Sequence, residues 1–109
     1  MTNYIFIESR DPFESRDTRF VSEMATALKH GGNAVTVFLV QNGVLATRRN
    51  VSESCLAQLI EAGVNLLADD FSLCERGIQS AELQPGIRPS SIETLVDALL
   101  QENTKAIWH

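Results

Sequence analysis

Apolar residues in this 109-residue chain cluster into short runs that polar and glycine-containing segments separate. Three runs, at residues 4–7, 34–40 and 64–68, are rich in β-branched, aromatic and aliphatic side chains. This pattern is typical of strands that are covered on both faces of a sheet. Weaker runs at residues 86–88 and 105–109 predict two more strands. The sequence therefore predicts a sheet of four to five strands.

Between the strands, apolar residues recur every three or four positions, which predicts helices. The first helix is predicted to begin at an Asp11 cap, with Pro12 at its first helical position and Glu14 three residues after the cap. It is predicted to end at Gly31 and Gly32. The residues expected to face the core from this helix are Phe20, Met24, Ala27 and Leu28.

Three more helices are predicted further along the chain. The second follows a Ser52 cap, and a short third helix runs from Asp69 to Gly77. A capping box formed by Ser90 and Glu93 predicts the start of the fourth. The residues expected to face the core are Leu56, Leu59 and Ile60 in the second helix, and Ile92, Leu95, Val96, Leu99 and Leu100 in the fourth.

Strands and helices alternate without a hairpin signal, so residues 1–109 are expected to form a single α/β domain. The predicted fold class is a three-layer α/β/α sandwich with a mainly parallel sheet. Ligands of such sheets bind beyond the carboxyl ends of the strands. Short polar residues follow the predicted strand ends, and we expect these to form a binding pocket: Asp11, Asn42, Asp69 and Ser72. Asp and Ser also cap helices, so Asp69, Asp70 or Ser72 alternatively caps the short third helix.

Composition and charge exclude several classes of function. The formal net charge is −5, whereas binding to a phosphate backbone requires clustered basic side chains, so nucleic acid is not an expected partner. Every apolar run is too short to span a bilayer, and no signal peptide is visible, which predicts a cytoplasmic protein without a membrane partner. His30 and His109 lack the spacing of metal ligands, and no glycine-rich phosphate loop follows the first strand. Neither a metal nor a cofactor is therefore expected.

The two cysteines, Cys55 and Cys74, are too few for a disulfide framework. Cys55 lies on the second predicted helix, where we interpret it as a small buried apolar residue. Cys74 lies just past the third strand, within the expected crevice and one turn into the short helix. Its position leaves two interpretations open. A helix N-terminus favours a reactive thiolate, but the helical spacing of Phe71, Cys74 and Ile78 also suits packing on the sheet.

Five segments of the chain occur in a characteristic order. They are Asp11-Pro12, Lys29-His30-Gly31-Gly32, Val35 to Leu39 followed by Asn42-Gly43-Val44, Glu75 to Ile78, and Leu83 to Ile87. The last of these, with the sequence LQPGI, is the most specific. In this order and spacing, nearly the whole chain resembles the DsrE-like family of small sulfur-relay proteins, which includes the DsrE and TusD subunits.

The resemblance implies a parallel-sheet sandwich that assembles into homo-trimers or hexamers. It also implies a cysteine after the third strand that accepts a persulfide sulfur and passes it to partner proteins. In a gapless alignment on Arg76 and Gly77, that cysteine corresponds to Asp69, and a second cysteine of some members corresponds to Ser72. Neither residue supplies the thiolate that a persulfide requires.

Three functions are compatible with this departure from the family pattern. The first is a sulfur-relay subunit or binding module with a degenerate persulfide site at Asp69. The second is an active sulfurtransferase that carries sulfur on Cys74. The third is a small-ligand binding protein on the same fold, since a fold does not fix a function.

Overall fold

The computed structural model describes residues 2–11, 18–48 and 56–109, and within them the chain forms a five-stranded sheet. The strands are β1 (Asn3–Glu8), β2 (Ala34–Leu39), β3 (Asn65–Asp69), β4 (Ile87–Ser90) and β5 (Thr104–Trp108). Their order across the sheet is β4-β3-β2-β1-β5, and every neighbouring pair is parallel. The predicted α/β fold with a parallel sheet is confirmed.

Within the described ranges, four helices connect these strands. They are α1 (Thr18–His30), α2 (Leu56–Glu61), α3 (Asp70–Glu75) and α4 (Ile92–Leu99). Two 3-10 helices, Gln41–Thr47 and Ser80–Glu82, follow β2 and α3. The predicted end of the third helix at Gly77 agrees with the structure, because Gly77 has a φ of 67° that glycine adopts without steric cost.

The helices cover both faces of the sheet. The chain crosses from β1 to β4 in one direction and then returns to place β5 on the far side of β1. Since parallel crossovers are right-handed, this reversal puts α4 on the face opposite α1 and α2. Phe6 belongs to the larger core cluster, on the face of α1 and α2. Its neighbours Ile5 and Ile7 pack with Leu95 of α4 on the other face.

The inward face of α1 differs from the expected one. Phe20 is 56% exposed, whereas Val21 and Ala25 are buried against the sheet. Met24 and Leu28 are half-buried against the same cluster, as the periodicity predicted, but Ala27 is exposed. The core stripe is therefore rotated by about one residue from the predicted stripe. The Pro12 and Glu14 start signals, like the Ser52 cap and Cys55, lie outside the described residues.

The start and the inward face of α4 also differ from the prediction. Ser91 caps the helix instead of Ser90, and its side chain accepts from the backbone N of Thr94. Leu95 is buried and Leu99 is half-buried, as expected. The other three predicted core residues face outward, with exposures of 50%, 48% and 78% for Ile92, Val96 and Leu100. A helix that packs on one face of a sheet buries only the side chains that point toward the sheet. The apolar residues of α4 cover more of the helix surface than this buried face, so some of them remain exposed.

All five carboxyl strand ends meet at one edge of the sheet, because every pair is parallel. Glu8 is the register partner of Leu39 across β1 and β2, and Asp69 is the register partner of Ser90 across β3 and β4. Within the described ranges, no helix has the length and apolarity needed to cross a membrane.

Candidate functional site at the carboxyl edge

Asp69 ends β3 and caps α3. Its backbone is extended, and its Oδ2 accepts a hydrogen bond of 3.0 Å from the backbone N of Ser72. The same oxygen accepts a second bond of 2.7 Å from Ser72 Oγ. Both side chains are buried, with exposures of 7% for Asp69 and 4% for Ser72. The capping alternative for Asp69 is therefore present in the structure, and this carboxylate oxygen is engaged within the protein.

Ser72 joins the end of β3 to the end of β2. Its Oγ accepts a hydrogen bond of 2.9 Å from the backbone N of Gln41, the residue that begins the 3-10 helix after β2. Gln41 has a φ of 50°, in the left-handed region that non-glycine residues rarely adopt. The hydrogen bond that the backbone N of Gln41 donates to Ser72 Oγ holds the residue in this conformation. Asp69, Ser72 and Gln41 thus form one connected polar corner.

Asn42 lies at the outer rim of this corner. Its Oδ1 accepts hydrogen bonds from Arg76 Nε at 3.4 Å and from Arg76 Nη2 at 3.1 Å. Arg76 Nη1 also donates to the backbone oxygen of Ser72 at 3.3 Å. Three of the four predicted pocket residues are therefore linked through Arg76 and Gln41. Asn42 is exposed, whereas Asp69 and Ser72 are covered.

Asp11 lies at the same edge of the sheet, three residues after β1, and its side chain is buried. Gly43 fixes the distance between this part of the chain and the segment after β2. A Cβ atom at Gly43 would overlap the carbonyl oxygen of Glu8, so only glycine permits this approach. The ends of β1 and β2 are packed backbone to backbone at this point.

Cys74 is exposed, and it is a free thiol. It lines an open cleft of about 370 Å³ between α3 and β4, with Asp70, Leu73, Gly77, Ile78, Gln79, Ser80 and Pro89. Ile78 is buried, but Phe71 is 66% exposed, so the proposed packing of Phe71, Cys74 and Ile78 on the sheet is wrong. Cys74 is also the fifth of the six residues of α3, so the N-terminal amides of the helix point away from the thiol toward Asp69.

The structure adds a polar pair that the sequence analysis missed. His109 Nδ1 lies 2.8 Å from Glu8 Oε2 and 3.0 Å from Glu8 Oε1, and the backbone N of Arg10 donates to Oε1 at 3.0 Å. Glu8 is buried, and the pair lies between β1 and β5, where the strand order reverses. The two residues are 101 positions apart, so local spacing carries no signal for their contact. The sequence signal for this site is Glu8 itself, because it is a charged residue at the end of a buried strand.

The comparisons with known proteins decide the family. The sequence profile of the DsrE/DsrF-like family matches residues 2–106. The chain belongs to the DsrE/DsrF-like family. No curated protein matches the chain.

Solved structures share the fold of this DsrE/DsrF-like chain. The ychN protein from E. coli has a TM-score of 0.88 at 18% identity, and the alignment covers 100% of both chains. MTH1491 from Methanobacterium thermoautotrophicum, a protein of unknown function, has a TM-score of 0.81 at 19% identity, again with full coverage of both chains. At this level of identity, the likeness concerns the fold alone.

The DsrE/DsrF-like fold thus places its polar residues at one edge but does not assign their chemistry. Among the described residues, no group of three His, Cys, Asp or Glu side chains is arranged to hold a metal ion. The edge contains instead a buried carboxylate cap, an exposed Asn42 beside the half-buried Arg76, a separate thiol in a cleft, and a buried Glu8 beside the half-buried His109.

Proposed function

We propose that this protein is a sulfur-relay subunit or binding module whose persulfide site is degenerate. The observation that carries the proposal is the pair of hydrogen bonds from Ser72 to Asp69 Oδ2. Asp69 stands where the resemblance to the family implies a sulfur-bearing cysteine. In this chain the position is used to cap α3, and its side chain is 7% exposed.

The chemistry of the carboxylate supports this proposal. A persulfide forms when a thiolate sulfur binds a second sulfur, and a carboxylate oxygen has no equivalent stable product. A fixed negative charge at Asp69 also disfavours the approach of another thiolate or persulfide. The proposed function therefore does not include sulfur transfer at Asp69.

The exposed part of the same edge is the proposed binding surface. Asn42 and Gln41 are exposed after β2, and the half-buried Arg76 guanidinium adds a positive charge beside Asn42. The buried Asp69 and Ser72 position these groups from below. In this arrangement Asp69 and Ser72 shape the pocket without touching the partner. We propose a partner protein of the sulfur relay as the occupant.

We also propose that the protein assembles into a homo-oligomer, a trimer or a hexamer, as the family resemblance implies. Exposed apolar side chains support assembly, because large apolar groups on a small domain mark interaction surfaces. Leu100 and Trp108 are the most exposed of them, at 78% and 67%.

A sulfur carrier based on Cys74 is the second candidate function. The observation that favours it is the exposure of the thiol in a cleft of about 370 Å³. A carrier thiol must be reachable by a donor and by an acceptor, and Cys74 meets that requirement. Its neighbour Asp70 contributes a negative charge to the same cleft, which opposes a thiolate.

Sulfur loading separates the two candidates. The reduced full chain is incubated with inorganic polysulfide, and the added sulfur is located by mass spectrometry of intact protein and of peptides. The degenerate-site proposal expects no stable persulfide on Cys74, and the same amount of added sulfur for wild type and Cys74→Ser once the mass of the substitution is subtracted. Addition of one sulfur to Cys74, lost in Cys74→Ser and kept in Cys55→Ser, would establish the carrier instead.

A further inference from the structure

The two edge strands of the sheet differ in the hydrogen-bonding groups that they offer. In a parallel ladder, alternate residues of a strand point their backbone N–H and C=O groups to opposite sides. On β5, the backbone N of His109 donates to Ile7 O, and its O accepts from the N of Ser9. The odd-numbered residues of this segment therefore face β1.

The outward residues of β5 are consequently Thr104, Ala106 and Trp108. Their N–H and C=O groups point away from the sheet at regular spacing. Ala106 and Trp108 are exposed, and Thr104 is half-buried. A second strand can pair with this edge without any rearrangement of the chain.

The opposite edge, β4, cannot accept a strand in the same way. The backbone N of Ile87 is occupied by a hydrogen bond of 3.1 Å to Gln84 O. The next outward residue is Pro89, which has no N–H. The outward positions of β4 thus present carbonyl oxygens without donors, whereas a pairing strand needs both. This disfavours head-to-tail pairing of β5 with β4 of another copy. Within residues 2–11, 18–48 and 56–109, β5 is the edge strand that offers both donors and acceptors.

We propose that β5 pairs antiparallel with β5 of a second copy about a two-fold axis, which joins two sheets into one of ten strands. A two-fold axis is present in a hexamer made of two trimers but absent from a trimer, so the pairing specifies one contact of the hexameric form of the homo-oligomer proposed above. It does not depend on any sulfur chemistry. An axis at Ala106 places Thr104 opposite Trp108 of the second copy, an aromatic–β-branched pair of the kind that stabilises antiparallel strands. The three outward pairs, two of Thr104 with Trp108 and one of Ala106 with Ala106, make about six backbone hydrogen bonds.

The charge of the strand favours a second copy as the occupant. The chain has a net charge of −5, but residues 104–108 contain no acidic side chain and only one basic one, Lys105. Two copies can therefore meet here without opposing carboxylates. Lys105 lies opposite Ile107 of the second copy in this register.

Apolar side chains beside the strand add to the buried surface. Ile5 and Ile7, the register partners of Ala106 and Trp108, pack under α4, so Trp108 projects on the α4 side of the sheet. Leu100, at the end of α4, is exposed as well. Five residues of strand alone are fewer than the roughly 20–30 residues that each partner contributes to a standard interface. The proposed interface therefore also includes the side chains beside the strand, with Trp108 as their aromatic anchor.

Amide hydrogen exchange on the full chain, followed by NMR, tests the pairing residue by residue. In the paired state the amides of Thr104, Ala106 and Trp108 exchange as slowly as those of Lys105 and Ile107, which bond to β1. Trp108→Arg is expected to weaken association at least about tenfold in sedimentation velocity and to release only the even-numbered amides. Ala106→Pro, which removes an outward N–H that has no partner in the described part of the chain, gives the same result.

Phe71→Arg is the matched control, because Phe71 is as exposed as Trp108 (66% against 67%) but lies on α3. It is expected to leave both association and the β5 amides unchanged. Fast exchange of the even-numbered amides in wild-type protein would overturn the pairing. If the protein were nevertheless an oligomer, assembly would use another surface and the proposed function would stand, since polysulfide loading is measured separately.

Discussion

The cap at Asp69 provides a sharp test of the site, because two substitutions separate its oxygen from its charge. Asp69→Asn and Asp69→Ala both remove the negative charge. Only alanine removes the oxygen that accepts from the N and Oγ of Ser72. Asparagine and aspartate cap helices about equally well. We therefore expect Asp69→Asn to be nearly silent in stability and Asp69→Ala to be strongly destabilising.

The expected loss for Asp69→Ala has two contributions. Removal of an N-cap costs about 1 kcal/mol of unfolding free energy. The hydroxyl of Ser72 is buried and loses its acceptor, which costs a further ~1–3 kcal/mol. The sum is about 2–4 kcal/mol, and at roughly 4 °C per kcal/mol for a chain of this size the Tm falls by about 8–16 °C. Asp69→Asn gives up only the charge assistance of the two bonds, less than about 1 kcal/mol.

Urea unfolding and thermal melts of both variants measure these values, with Asp70→Asn as the control. Asp70 is the exposed neighbour in the first turn of α3, so its neutralisation should change the unfolding free energy by less than about 0.5 kcal/mol. A melting temperature of Asp69→Ala close to that of wild type would refute the capping argument. Equal destabilisation by Asn and Ala would refute it as well, because it would show that the charge matters more than the acceptor.

Three further predictions concern the remaining features of the edge. Gly43→Ala should cost about 1–3 kcal/mol because its Cβ overlaps the carbonyl oxygen of Glu8, whereas Gly31→Ala, whose Cβ meets its nearest atom at 3.4 Å, is the tolerated control in the same urea assay. Glu8→Ala should lower the urea midpoint by the equivalent of about 1.5–3 kcal/mol, since it leaves an imidazole and a backbone N–H without their acceptor, and an unchanged midpoint would contradict a structural role for the pair. Native iodoacetamide labelling should modify Cys74 readily because it is exposed, and protection of Cys74 relative to Cys55 would contradict the open cleft.

The strands and the layer order could be predicted from the sequence because they depend on continuous burial. The run at residues 34–40 forms the central strand β2, and its apolar side chains are covered on both faces as their continuity predicted. Asp69 could be placed at a strand end and recognised as a possible cap from its residue type alone. These features depend on residue type and on neighbours in the sequence, which the sequence alone provides.

The sequence predictions were wrong or incomplete where the burial or partner of a side chain depends on which element packs against it. Val96 and Leu100 have helical spacing, but whether such residues face the sheet depends on which stripe of α4 meets β1 and β2. The Glu8–His109 contact depends on β5 returning beside β1, which only the sheet order reveals. The spacing of apolar residues predicts a helix, but it does not show which of these side chains another element covers.

In the proposed function, the position that the family resemblance assigns to the sulfur-bearing cysteine is the N-cap of α3 in this chain, so a carboxylate takes the place of a thiol there. A thiol is a weak hydrogen-bond acceptor, and a cysteine at residue 69 would leave the backbone N and the hydroxyl of Ser72 poorly satisfied. The carboxylate therefore gives rigidity to the corner that also holds Gln41 in its unusual conformation. Cys74 does not lie at this corner, because its cleft opens between α3 and β4. A donor that reached Cys74 would have to approach from a different side of α3, so a sulfur relay through this chain requires a docking geometry of its own.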